Sequence, residues 1–233
     1  NFFHNQGYSP VKNHRHLLHL SNCFFIFTNT YFLSLTMTID TQALILTLKL
    51  AFFTLLFLIP FGIWVAYHLA SMQKGKSFLE ATLALPLVLP PTVLGYYLLV
   101  SFSNVTLFNE PLTFTFTGLV IASIIFNLPF AIQPIQRAFE AIPQDVREAA
   151  QCSGLSPWQA FKLIDLPLAW RGIVSAAVIT FAHTLGEFGV ILMIGGSIPG
   201  ETKTIAISIY DSVQNMDHAS ASGMSLLLLI ISL

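Results

Sequence analysis

The chain has 233 residues, of which 55% are hydrophobic and only 9% charged, against about 25% charged in a typical soluble domain. That composition excludes an ordinary soluble enzyme and describes an integral membrane protein. The formal net charge of -1 says nothing about partners, so the informative quantity is where the few charges fall. No basic, nucleic-acid-binding patch is present. Cys23 and Cys152 are far apart and in unlike contexts, which gives neither a disulfide framework nor a metal site.

Residues 1–36 contain no Met, and four of the seven His (His4, His14, His16 and His19) crowd into the first nineteen positions. The working protein is expected to occupy 37–233, from Met37, with 1–36 an upstream or non-functional extension. The competing reading is an additional span over Leu17–Leu35, with Lys12 and Arg15 on its cytoplasmic side, weakened by Asn22, Thr28, Asn29 and Thr30.

Four apolar stretches then reach the roughly 20 residues that a helix needs to cross a bilayer: Leu44–Leu69, Leu79–Phe102, Phe116–Phe139 and Gly172–Ile194. Between the first two lies Gly75-Lys76-Ser77, which is no P-loop: the required earlier glycine is Ala70, and the segment joins two apolar helices instead of following a strand. Any ATP chemistry belongs to another chain. The second span carries Leu85-Pro86-Leu87-Val88-Leu89-Pro90-Pro91, where each proline removes a backbone donor; a kinked helix lining a path, with Pro90 and Pro91 as candidate residues, stands beside a plain packing kink. Pro129 and Pro134 raise the same question for the third span.

Between the third and fourth spans the chain turns polar. Pro143 suits a helix start and Gly154 a left-handed helix end. Ser156, Pro157 and Gln159 then suit a cap, a first position and a capping box for a second short helix. The second helix offers a bulky face of Trp158, Phe161 and Ile164, suited to plugging a partner's groove. In the fourth span Glu187 stands in Thr184-Leu185-Gly186-Glu187-Phe188-Gly189. A carboxylate there costs several kcal/mol against lipid and must face protein or water. Gly186 and Gly189 allow close helix approach, and His183, four residues earlier, is a candidate partner. A structural anchor or a gate fits this charge better than a substrate site. A fifth apolar stretch begins near Ala219 and is expected to continue past Leu233.

Lys74 and Lys76 in the first loop, and Arg137, Arg147, Lys162 and Arg171 around the polar insert, mark those segments as cytoplasmic. Asn104–Thr113 has no Lys or Arg, and Ser197–His218 has Lys203 alone. Lys49 opposes the scheme mildly, near the outer end of the first span. His68, His183 and His218 are scattered, so no catalytic constellation, cofactor site or metal set emerges.

The insert reads Glu148-Ala149-Ala150, three residues, Gly154, nine residues, Ile164-Asp165-Leu166-Pro167. This spacing resembles the EAA coupling loop of ABC-transporter permeases. The segments Leu85–Tyr97, Leu185–Gly189 and Ile198–Ile205 resemble the molybdate branch of those permeases, and the sulfate branch less closely. The resemblance implies an all-α integral membrane fold, a five-helix permease core with a cytoplasmic coupling-helix loop, in a bacterial inner membrane. It also implies a homodimer, a separate ABC ATPase subunit and a periplasmic or lipid-anchored molybdate-binding protein. Glu148, Ala149, Ala150, Gly154, Ile164, Leu166 and Pro167 would couple to the ATPase; Pro90, Pro91, His183, Gly186, Glu187 and Gly189 are candidates for a pathway or gate. Many relatives carry Arg where this chain has His183. A sulfate or tungstate permease, a channel or secondary carrier lacking an ATPase, and a membrane enzyme with a catalytic pair remain as alternatives.

Overall fold

The computed structural model describes residues 39–103, 105–107 and 110–232. The expectations for 1–36 lie outside the described residues. Helix α1 (Thr41–Ser71) opens at Asp40, whose carboxylate accepts from the Ala43 N–H at 3.0 Å. Its 31 residues run through Pro60 without a break and bury one stripe, including Leu46, Leu50, Thr54 and Leu58. At about 1.5 Å per residue it exceeds the roughly 30 Å hydrocarbon thickness.

The second span is not one kinked helix. It is α2 (Lys76–Val88) and α3 (Pro91–Phe102), bent 103° apart. Pro90 and Pro91 remove two successive donors and push Leu89 into extended backbone, so the helix stops and restarts with Pro91 at its first position. A two-residue-strand hairpin (β1, Thr106–Leu107; β2, Glu110–Pro111) follows. Helix α4 (Phe116–Glu140) carries Pro129 and Pro134 without a break and is the central helix, packed on α1, α2 and the later helices.

Helix α5 (Gln144–Cys152) and α6 (Pro157–Ala160) form the polar insert. Through a π-helical turn, Phe161–Asp165, α6 runs into α7 (Leu166–Gly186). The second insert helix is therefore the start of a membrane span and not a separate short helix. Helix α8 (Gly189–Gly195) follows a break; α9 (Ile205–Gln214) and α10 (His218–Ser232) complete the described chain. Among the described residues, three helices are each long and apolar enough to cross a membrane, four counting the bent α2–α3 pair as one. Helix α9 lies within the expected outer connection, held to α1 by Ile205 N–H to Thr47 Oγ1 at 2.9 Å and Ser208 Oγ to Asp40 Oδ2 at 3.0 Å. Lys49 is accommodated at the start of α4, its Nζ 4.9 Å from the Phe116 ring centroid.

Candidate functional site

The polar insert folds as its residues dictate. Gly154 has φ +76°, the left-handed conformation that ends α5 cheaply only in glycine. Ser156 Oγ accepts from Gln159 N–H and Gln159 Oε1 accepts from Ser156 N–H, a complete capping box. Pro143 sits one position before α5 begins. Glu148, Ala149 and Ala150 lie on α5, with Ala150 buried and the other two exposed. Ile164 falls in the π-helical turn, and Leu166 and Pro167 open α7.

What fixes this elbow is a residue outside the spacing pattern. Arg147 donates to Asp165 Oδ1 at 3.3 Å and to the Phe139 carbonyl at 2.9 Å, tying α5 both to the turn and to the end of α4. Asp165 is 3% exposed, so the guanidinium compensates a buried carboxylate. The expected bulky face divides. Phe161 turns inward, 4.8 Å from the Tyr67 ring, while Trp158 stays 63% exposed. A cavity of about 460 Å³ is lined by Trp158 and Phe161 together with Trp64, Tyr67 and His68 of α1.

No atom lies within 4 Å of a Cβ placed on Gly154, so substitution there meets strain in the backbone alone. Gly154→Val is expected to cost about 1–2 kcal/mol at the elbow and to lose solute uptake at normal membrane abundance, while Gly154→Asn is tolerated. Uptake by a correctly inserted Val variant equal to wild type would refute a coupling role.

The second site is where two spans break side by side. Glu187 does not lie inside a helix. It ends α7 with extended ψ of 121°, and its Oε1 accepts from the Val190 N–H at 3.3 Å, capping the first turn of α8. The α2–α3 break lies opposite: a Cβ on Gly189 would meet Pro91 Cβ at 2.9 Å, and one on Gly95 would meet Met193 Cβ at 2.8 Å. Gly189 thus permits the close approach expected of it, whereas Gly186 has open space around its missing Cβ. A cavity of about 440 Å³ here is lined by Pro91, Phe126, His183, Gly186, Glu187 and Gly189. Five of the six pathway or gate candidates meet in it, and Pro90 adjoins.

Behind the cavity runs a buried polar ladder that sequence spacing did not reveal. Thr54 Oγ1 donates to Ser123 Oγ at 3.0 Å, and Asn127 Nδ2 donates to the Ser123 carbonyl at 2.8 Å. Asn127 Oδ1 lies 3.0 Å from His183 Nδ1, which is itself 3.9 Å from Glu187 Oε2. His183 is stacked on Phe130, with ring centroids 4.0 Å apart. Among the described residues, no group of three His, Cys, Asp or Glu could hold a metal ion.

Residues 58–233 match the model of the family described as binding-protein-dependent transport system inner membrane component, and the chain belongs to that family. It is accordingly a multi-pass component of the inner membrane. It is 47% identical over 191 residues to the molybdenum transport system permease protein ModB of Azotobacter vinelandii, covering 78% of this chain and 84% of that one. Against a probable sulfate transport system permease protein, cysT, of Chlorella vulgaris, identity is 30% over 203 residues, 84% of this chain and 76% of the relative. The fold is shared with a crystal structure of a bacterial ABC transporter involved in the import of the acidic polysaccharide alginate. That match has TM-score 0.70 and 19% identity, covering 95% of this chain and 86% of that one.

Proposed function

We propose that this chain is the membrane-spanning permease subunit of an ATP-driven importer of molybdate. In this reading it works as a homodimer of five-helix cores, with a separate ABC ATPase and a periplasmic or lipid-anchored binding protein. The observation that carries the substrate is the wide margin of 47% identity to a molybdenum permease over 30% to a sulfate permease.

The geometry supports a division of labour. Glu148, Ala149, Ala150 and Gly154 form the docking elbow, and Ile164, Leu166 and Pro167 connect it rigidly to α7. Displacement of the elbow by ATP-driven closure of the ATPases then reaches the paired breaks along one continuous helix. Around the break cavity, Pro90, Pro91, His183, Gly186, Glu187 and Gly189 act as a gate. Glu187 is 5% exposed and engaged by Val190 and His183, so it presents little charge to a dianion. Selectivity then rests with the binding protein, and the passage need only be transient and wet.

Reconstitution with the ATPase and binding protein tests the reading by comparing ATP-dependent uptake of molybdate, tungstate, sulfate and phosphate. Molybdate and tungstate are expected to compete strongly with each other and weakly with sulfate. Sulfate uptake that molybdate does not inhibit would move the chain to the sulfate branch, and uptake of a neutral or cationic solute would overturn the oxyanion assignment. Uptake without the ATPase would favour a channel or secondary carrier.

A chain beginning at Met37 is expected to insert and transport as well as the full sequence, because residues 1–36 hold no Met and crowd four of the seven His. Loss of insertion on shortening, measured by membrane abundance, would make Leu17–Leu35 a working span.

A further inference from the structure

Helix α2 is held unlike the others. Pro86 is its only buried residue, and Phe78, Leu85, Leu87 and Val88 are all exposed. Beyond the packing of Leu83 on the inner core, its attachment to α4 is polar. Lys76 Nζ lies 2.6 Å from Glu140 Oε1, and Gln136 Nε2 donates to both Glu80 Oε1, at 2.5 Å, and Glu140 Oε1, at 2.7 Å. Arg137 adds a contact to Glu140 Oε2 at 2.8 Å. Gln136 is 2% exposed, and both its amide hydrogens are committed to carboxylates at the edge of a partly exposed charge cluster. A cavity of about 360 Å³, lined by Ser77, Glu80, Ala84, Gln133 and Gln136, leaves room beside the contacts for the helix to shift.

The position of these contacts gives them a use. Glu140 is the last residue of α4, and its neighbour Phe139 carries the carbonyl that receives Arg147 from the elbow. At its other end α2 meets the break at Leu89 and Pro90, beyond which α3 is wedged against α8 through Gly95 and Gly189. One half of the second span is thus wedged against α8, and the other half is tied to the end of α4, the same end that receives Arg147 from the elbow.

We propose that Lys76, Glu80, Gln136 and Glu140 form a clasp that carries displacement of the polar elbow to α2, making α2 the moving arm of the gate while α3 stays fixed. The clasp rests on the importer reading above. Its four residues are positioning residues, acting through α2 and touching no substrate. Directional contacts suit this task, because an apolar helix face gains nothing in lipid from following its neighbour.

The test uses the full chain with its ATPase and binding protein in proteoliposomes, with molybdate as solute, on a Cys23→Ser, Cys152→Ser background. Lys76→Met is expected to lower uptake about fivefold, the scale of a partly exposed charge pair, with ATP hydrolysis and complex yield unchanged. Lys76→Cys with Glu140→Cys is expected to behave likewise, and a short, reducible bis-methanethiosulfonate linker between the two thiols to restore uptake until it is reduced. Unchanged uptake in Lys76→Met, or a linker that blocks transport instead of restoring it, would overturn the clasp and leave the importer reading standing. No ATP-dependent molybdate uptake by the unmodified chain would remove that reading, and the clasp with it.

Discussion

Arg147→Ala is expected to detach the elbow from the bundle and abolish association with the ATPase. Asp165 is 3% exposed, and the substitution removes the guanidinium both from it and from the Phe139 carbonyl, which keeps the long contact from the Ile142 N–H at 3.4 Å. Removing one partner of a buried pair costs roughly 3–5 kcal/mol. The Arg147 side chain is 31% exposed, which places the loss toward the lower end of that range. Arg147→Lys should recover little, since a single ammonium cannot satisfy both acceptors as a fork does. Asp165→Asn should be milder, because the amide oxygen still accepts. Copurification of the ATPase with tagged variants, beside membrane abundance, measures the effect. Full ATPase recovery with the Ala variant would show that the elbow is held by something else.

The second large effect is expected at the paired breaks. Glu187→Leu leaves the Val190 N–H without its acceptor and removes the carboxylate that His183 faces. An unsatisfied buried donor costs about 1–3 kcal/mol, and the leucine must also fit where a cavity wall turns sharply. Uptake should fall to background. Glu187→Gln retains a carbonyl oxygen for Val190 and nearly the same shape, so it should hold most of the stability and a measurable fraction of transport. Thermal unfolding in detergent together with ATP-dependent uptake separates the two. Equal losses would mean that the capping bond is not what Glu187 contributes.

The parts of this architecture visible in the sequence are those governed by neighbours along the chain. Apolar length located the first and third spans but not the fourth, read as Gly172–Ile194 and found at Pro157–Gly186. The residue types at Gly154, Ser156 and Gln159 implied a left-handed turn and a capping box that the structure contains. Pairings across the sequence were not visible. Asn127 meets His183, and Glu80 meets Gln136, each across 56 residues, and neither pair leaves a mark in helical periodicity. The breaks were half legible. Two adjacent prolines suggested a kink, but a bend of 103° also needs α8 to receive the restarted helix. Glycines flanking Glu187 were read as sites of helix contact. Gly189 is one, whereas Gly186 is the last residue of α7, at the edge of the break.

The ladder from Thr54 through Ser123 and Asn127 to His183 links α1, α4 and α7. Lipid solvates an apolar helix equally on every side, so it gives these spans no preferred rotation about their own axes. The ladder supplies that azimuth: turning any one helix by a single residue's angle, about 100°, would strand a hydroxyl or amide in hydrocarbon. Its small polar atoms therefore act as an indexing pin during assembly, selecting which faces of three otherwise interchangeable cylinders meet.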